Sequence, residues 1–459
     1  MTVSSSCPPS EGSSPLPTPL FSAPSTPETE RDEDCFELAL AALPAVSAAT
    51  AQYILVTGGL GYIGSHTALE LLKAGYNVLL VDNLSNSYKE VYDRIVRAAK
   101  QHYEREGRGR QCPQAELACM DYRDSQAMRT LLATHASGSS SSSSSSSSTN
   151  EEGDAASRIP ARSNITGVIH FAAYKEVHDS LRNPLKYYQN NISGLVDFVA
   201  LLDEHDIKTF IFSSSANVYG TLSATHRTLR EEHCVHRPEA YYAADGQELV
   251  AVEQGCTGIT NPYGRTKFFG EAILSDLAAS DPSWTIIGLR YFNPVGCDAS
   301  GLLAEDPRGT PSNLVPVVVK VLTGELPELS IYGDDWRTPD GTAIRDFIHV
   351  SDVARGHIAA LAAAQEGRVV EPFRTFNLGT GCGHSVAEVV ATMEHISHQP
   401  IPRRTADRRP GDVESCVAIA DRAAVELGWK AERSLQDACR DLWHHLQAEG
   451  RLSGTAIKS

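Results

Sequence analysis

Residues 53–82 constrain the fold more than any other part of the chain. The apolar run Tyr53-Ile54-Leu55-Val56 leads into Thr57-Gly58-Gly59-Leu60-Gly61-Tyr62-Ile63-Gly64, a helical stretch follows from Ser65 to Leu72, and a second apolar run from Tyr76 to Val81 ends on Asp82. Gly59, Gly61 and Gly64 fit G-x-G-x-x-G between a strand and a helix. Glycines let backbone amides approach a pyrophosphate, and the unpaired N–H groups and dipole of a helix N-terminus favour negative charge. A dinucleotide site is therefore expected, with Gly58, Gly61, Tyr62, Ile63 and Gly64 in the turn. Asp82 is placed to accept hydrogen bonds from the adenosine ribose and to repel a 2'-phosphate, so NAD is expected over NADP. Glycine-rich turns also occur as plain loops. Strand, helix and carboxylate in one register argue against that here.

Bulk properties narrow the rest. A net charge of −17 over 459 residues offers nothing to attract nucleic acid or an anionic membrane surface. Ten cysteines lie scattered without C-x-x-C or H-E-x-x-H patterns, so reduced, mostly buried thiols in a cytoplasmic protein are expected, and no metal. There is no apolar run long enough to span a bilayer. The first basic residue is Arg31, which fits neither a secretory signal nor a transit peptide. The triplets Asn164-Ile165-Thr166 and Asn191-Ile192-Ser193 are accordingly expected to be unglycosylated.

Residues 1–50 are rich in Ser, Pro, Thr and Ala and read as a disordered tail, with a transient helix over Phe36–Leu43. From residue 51 strand-like runs alternate with helical ones, the pattern of a doubly wound parallel sheet. This Rossmann-type domain is expected over 51–292. It is interrupted at about 136–163 by a segment containing the run Ser139–Ser148, and at about 221–260 by a second insertion without an evident role. Residues 293–459 read as a smaller α/β substrate-binding domain, with about 351–378 returning to the main sheet.

A second constellation is Asn261-Pro262-Tyr263-Gly264-Arg265-Thr266-Lys267, opening a helix. Tyr263 and Lys267 are four residues apart and share a helix face, so an ammonium could lie beside a phenol and lower its pKa. A tyrosinate near neutral pH is a general base for an alcohol. Upstream, Ser213-Ser214-Ser215-Ala216-Asn217 closes a strand where ligand-binding ends converge, and Ser215 can hydrogen-bond the same oxygen.

With these residues the chain resembles the extended short-chain dehydrogenase/reductase family, most closely its nucleotide-sugar 4-epimerases. The motifs are Gly58–His66, Asp82-Asn83-Leu84, His170–Lys175, Tyr187–Asn191, Tyr291–Gly296 and Gly341–Val350, covering roughly Ile54 to Trp443. The resemblance implies Tyr263 as base, Lys267 as its pKa partner and a cofactor ligand, and Ser215 as hydroxyl partner. It further implies Asn83, Asp121, Phe171, Ala172, Lys175 and Asn191 as NAD contacts. UDP-sugar contacts implied are Tyr291, Asn293, Asn313, Leu314, Ser330, Tyr332, Arg345, Arg409 and Asp412, with Arg345 and Arg409 on the diphosphate. The implied reaction interconverts UDP-glucose and UDP-galactose through a 4-keto sugar. Relatives form homodimers through helices that include the one bearing Tyr263.

A dehydratase would need an acid/base pair where this chain has Ala216-Asn217, which disfavours it. A UDP-pentose epimerase, a decarboxylase and a non-catalytic NAD/UDP-sugar scaffold are the other readings weighed. Cys416 occupies a position where relatives restricted to unsubstituted hexoses often carry tyrosine. A smaller residue there implies room for a C2 acetamido group.

Overall fold

The computed structural model describes residues 51–107, 111–136, 163–222, 226, 228–242, 247–251, 258–309, 311, 313–409 and 411–451. The expected tail, its Phe36–Leu43 helix and the Ser139–Ser148 run lie outside the described residues.

Five runs with strand pattern form β1 (Tyr53–Thr57), β2 (Asn77–Asp82), β3 (Ala115–Cys119), β4 (Ile165–His170) and β5 (Thr209–Ser215). The second insertion contributes an antiparallel hairpin, β6 (Glu239–Tyr242) with β7 (Glu248–Ala251), and β8 (Thr285–Tyr291) follows the helix Pro262–Ser280. Then come β9 (Asn293–Val295), β10 (Leu329–Tyr332), β11 (Ile344–His349) and β12 (Phe373–Leu378). The last strands are β13 (Gly383–Ser385), β14 (Arg403–Ala406) and β15 (Ser415–Cys416).

Seven of these make one parallel sheet in the order β12-β8-β5-β4-β1-β2-β3. β1 is buried at every residue, as strands covered on both faces must be. One apolar cluster packs the helices Tyr62–Lys73 and Val350–Gln365 on one face. A second packs Gly194–Glu204 and Pro262–Ser280 on the other. The strand order reverses between β4 and β1, which opens a crevice at their carboxyl ends where ligands of such sheets bind.

Beyond β8 a small sheet of β9, β11, β13 and β15 and the pair β10–β14 pack on the helices Leu314–Leu322, Val386–Ser397 and Leu435–Ala448. Ser385 and Ser434 start two of these helices with reciprocal capping boxes, closing otherwise unpaired N–H groups. Among the described residues no helix is long and apolar enough to cross a membrane. Of the seven described cysteines only Cys234, Cys297 and Cys439 are buried, fewer than the composition implied.

Candidate active site

The glycine turn lies at the carboxyl end of β1. Gly58 has φ +68°, and a Cβ there would lie 2.8 Å from the Ala172 amide nitrogen, so only glycine lets the turn meet the end of β4 backbone to backbone. A Cβ on Gly64 would lie 2.2 Å from the Gly58 carbonyl oxygen. Gly61 caps the helix Tyr62–Lys73 without any side-chain bond, leaving the first-turn amides of Tyr62, Ile63 and Gly64 for a ligand. That uncapped N-terminus, entered through a glycine turn, fits the pyrophosphate of NAD.

Asp82 ends β2 buried. Its carboxylate accepts from Leu60 N at 2.9 Å, Leu84 N at 2.9 Å and Ser87 Oγ at 2.8 Å. The carboxylate thus ties the glycine turn to the loop after β2 and retains one acceptor direction on Oδ2 for a ribose hydroxyl. Asn83 donates to Asp121 at 3.0 Å, so these two expected contacts share the same corner, where Arg123 also holds Asp121 at 2.7 Å. Phe171 and Ala172 lie against the turn. Asn191 differs from its expected part as a cofactor contact. Its amide accepts from Tyr174 N at 2.9 Å and Asn190 Nδ2 at 2.8 Å, and donates to Tyr174 O and Thr266 Oγ1 at 3.0 Å each. Those four bonds exhaust the amide, so Asn191 pins the Tyr174 loop to the helix bearing Tyr263.

Tyr263, Lys267 and Ser215 come together because Asn261 caps the helix through Gly264 N at 2.7 Å, with Pro262 in its first turn. Burial raises the Tyr263 phenol above its ordinary value, opposed by a hydrogen bond with Ser215 and by the charge of Lys175. Lys267 donates to the Ser213 carbonyl at 2.6 Å, and burial draws its ammonium down to about 7 against the field of Glu271. Here the structure corrects one expectation and adds a residue to another: the phenol is not shifted down in the protein alone, and Lys175 is a cation acting on it. Desolvation outweighs the short helical spacing from which the opposite was inferred. Lys175 itself pairs with Glu305 at 2.9 Å.

The family model for the NAD dependent epimerase/dehydratase family matches residues 54–379. The chain belongs to that family. It is 41% identical to a UDP-glucose 4-epimerase of Dictyostelium discoideum over 390 residues, 85% of this chain and 94% of that protein. It is 39% identical to the UDP-glucose 4-epimerase of Mus musculus, over 85% of this chain and 95% of that one. A crystal structure of UDP-glucose 4-epimerase from Bifidobacterium longum in complex with NAD+ and UDP superposes with a TM-score of 0.68 at 38% identity, covering 87% of this chain and 99% of that chain.

On the side expected to face substrate, this epimerase/dehydratase chain gathers Tyr332, Arg345, Arg409, Asp412 and Cys416. Arg409 lies 4.6 Å over the Tyr332 ring and pairs with Asp412 at 3.0 Å. Arg345 sits beside Cys416 in the β11–β15 register. Burial lowers the Arg345 guanidinium from its usual value and lifts the Cys416 thiol to about 11, which keeps it protonated at neutral pH. Ser330 lies on β10 opposite Arg404 of β14. Tyr291 is buried with its hydroxyl on Ser213, and Asn293 begins β9. Asn313 and Leu314 start the helix Leu314–Leu322, where Asn313 is exposed and its side chain caps nothing.

Sequence reasoning missed Asn217, whose backbone N and Nδ2 donate to Ser215 Oγ at 3.2 and 3.0 Å and so orient the hydroxyl. Its place two residues after Ser215 was the available signal. It also missed Glu271, one helical turn beyond Lys267.

Proposed function

We propose that the chain is an NAD-dependent UDP-glucose 4-epimerase, acting within galactose metabolism. The single observation that carries the reading is the presence, in one site, of a buried tyrosine, serine and lysine, Tyr263, Ser215 and Lys267, and of a close-packed glycine turn at an uncapped helix N-terminus that suits a diphosphate. Held by the glycine turn and Asp82, NAD would supply a hydride acceptor that returns the hydride. Tyr263 takes the proton of the sugar 4-hydroxyl, with Ser215 hydrogen-bonded to the same oxygen and held there by Asn217. Lys267 and Lys175 supply the positive charge that a phenolate needs in a dry site. The resulting 4-keto sugar turns its other face before the proton and hydride return, so C4 is inverted with no net oxidation. Arg345 and Arg409 hold the diphosphate while the sugar turns.

Cys416 extends the substrate range to UDP-N-acetylglucosamine and UDP-N-acetylgalactosamine, because a thiol leaves the volume that a phenol ring would fill. The test is turnover of UDP-galactose and UDP-N-acetylgalactosamine by the purified chain and by Cys416→Tyr. Both sugars are turned over by the native protein, and only the unsubstituted one by the variant. No turnover of UDP-galactose would return the chain to a binding role, and none of the N-acetyl sugar would make Cys416 a packing residue.

A homodimer is supported by Leu181, Leu185, Val196 and Phe269, which leave 46, 72, 43 and 42% of their surface exposed on neighbouring helices that include the one bearing Tyr263. Sedimentation at a single protomer mass would sink it. A cytoplasmic setting is supported by the free thiols of Cys112, Cys297, Cys382, Cys416 and Cys439 and is checked by fractionation.

A further inference from the structure

We propose that Glu271 is the positioning residue that keeps the Lys267 ammonium charged inside the core, and that His236, from the segment after β5, holds the Glu271 carboxylate for this task. The inference rests on the reading of Lys267 given above. Tyr263, Lys267 and Glu271 follow at four-residue steps along one helix face. The last three residues of β5 meet them in turn: the Ser215 hydroxyl meets the phenol, the Ser213 carbonyl accepts from Lys267 at 2.6 Å, and Ser214 Oγ donates to Glu271.

Glu271 and Arg290 are both 0% exposed, so water screens neither charge. Arg290 of β8 grips the carboxylate at 2.9 and 2.6 Å, and His236 Nε2 lies 2.8 Å from Oε2. Burial opposes ionisation, yet Arg290 and His236 hold Glu271 well below the usual carboxylate range. Arg290 is itself fixed by the Tyr219 hydroxyl and the carbonyls of Glu231 and Cys234. Around Lys267 the other groups are Tyr263 on its own helix, His170 from β4, and the Phe212 ring of β5. Burial, aided by Lys267, takes His170 down to about 3, and burial keeps the phenol protonated. Glu271 is therefore the anion facing Lys267 at neutral pH. A metal is not the better reading of Cys234, His236 and Glu271, because the Arg290 guanidinium already occupies the carboxylate.

His236 reaches this place because its segment is clamped on two sides. Leu229 pairs with Val417 and Ile419 at 2.8 Å each, beside Cys416, and Asn377 N donates to Glu231 at 2.7 Å. The second insertion thus joins the chain just after β15 to the helix of the base.

The experiment is the pH profile of kcat for UDP-galactose in the full NAD-loaded chain. Activity that needs the Lys267 cation is lost as pH rises through its titration, and removing the neighbouring anion moves that titration down. Glu271→Gln is expected to move the high-pH limb at least one unit lower, about tenfold in kcat at a fixed pH on that limb, with KM little changed. His236→Phe, whose ring keeps the contacts with Phe268 and Phe373 at 4.9 and 6.0 Å between centroids, shifts it in the same direction by less. His236→Gln, which can still donate, restores it. Should Glu271→Gln fail to fold around an unpaired Arg290, the two His236 variants carry the test, since they leave that pair intact. A limb that none of the folded variants moves, in an enzyme that Lys267→Ala disables, overturns this inference alone. Full activity of Lys267→Ala overturns it together with the catalytic reading.

Discussion

Tyr263→Phe keeps the fold and the bound NAD and loses turnover of UDP-galactose by about 10²–10⁴-fold, the usual cost of removing one general base. The ring is 8% exposed and its packing does not depend on the hydroxyl, so the substitution removes one oxygen and its bond with Ser215. In activation terms the loss is about 3–5 kcal/mol. None of it should appear in melting temperature beyond the value of one hydrogen bond, about 1 kcal/mol. Turnover is read by a coupled assay and cofactor content by denaturing the protein and assaying released nucleotide. Near-native turnover in a variant that still carries NAD would remove Tyr263 from the chemistry.

Gly64→Ala yields a chain that purifies without NAD. The added Cβ would lie 2.2 Å from the Gly58 carbonyl oxygen and 3.1 Å from the Gly59 Cα. Both are backbone atoms, so no rotamer change relieves the clash, and the turn and the first turn of the helix must separate. Separation takes the amides of Tyr62 and Ile63 away from the pyrophosphate position. Overpacking of this kind costs about 1–3 kcal/mol, which in a domain of this size lowers the melting temperature by several degrees. Gly75→Ala is the control. A Cβ there meets nothing within 4 Å, and only its φ of +95° is strained, so NAD content should be unchanged. Full NAD occupancy in Gly64→Ala would mean that the turn does not carry the pyrophosphate.

Some of this molecule could be read from the chain because the signals are local. β1, the glycine turn, the helix Tyr62–Lys73 and β2 ending on Asp82 lie within one contiguous stretch, and the period of its apolar residues changes from strand to helix and back. The close approach of Gly64 to the Gly58 carbonyl is a property of that same stretch, whereas the approach of Gly58 to Ala172 needs β4 in place beside it. Tyr263 and Lys267 share a helix face by spacing alone. The family motifs, each a short local pattern, point to NAD and to a nucleotide sugar in the same way.

Tertiary structure decided which charges act on which atoms. Spacing made Lys267 the neighbour of the phenol, but the fold turns its ammonium to the Ser213 carbonyl and brings the charge of Lys175 to Tyr263 from the loop after β4. Asn191 looked like a ligand contact in the sequence and is consumed by four internal hydrogen bonds. The second insertion has no periodic signature, yet its Leu229, Glu231 and His236 bind β15's flank, Asn377 and Glu271. Local pattern specifies elements and the residues they present on one face. Burial, desolvation and contacts between distant segments exist only once the chain has closed, and those quantities set the protonation states on which the chemistry depends.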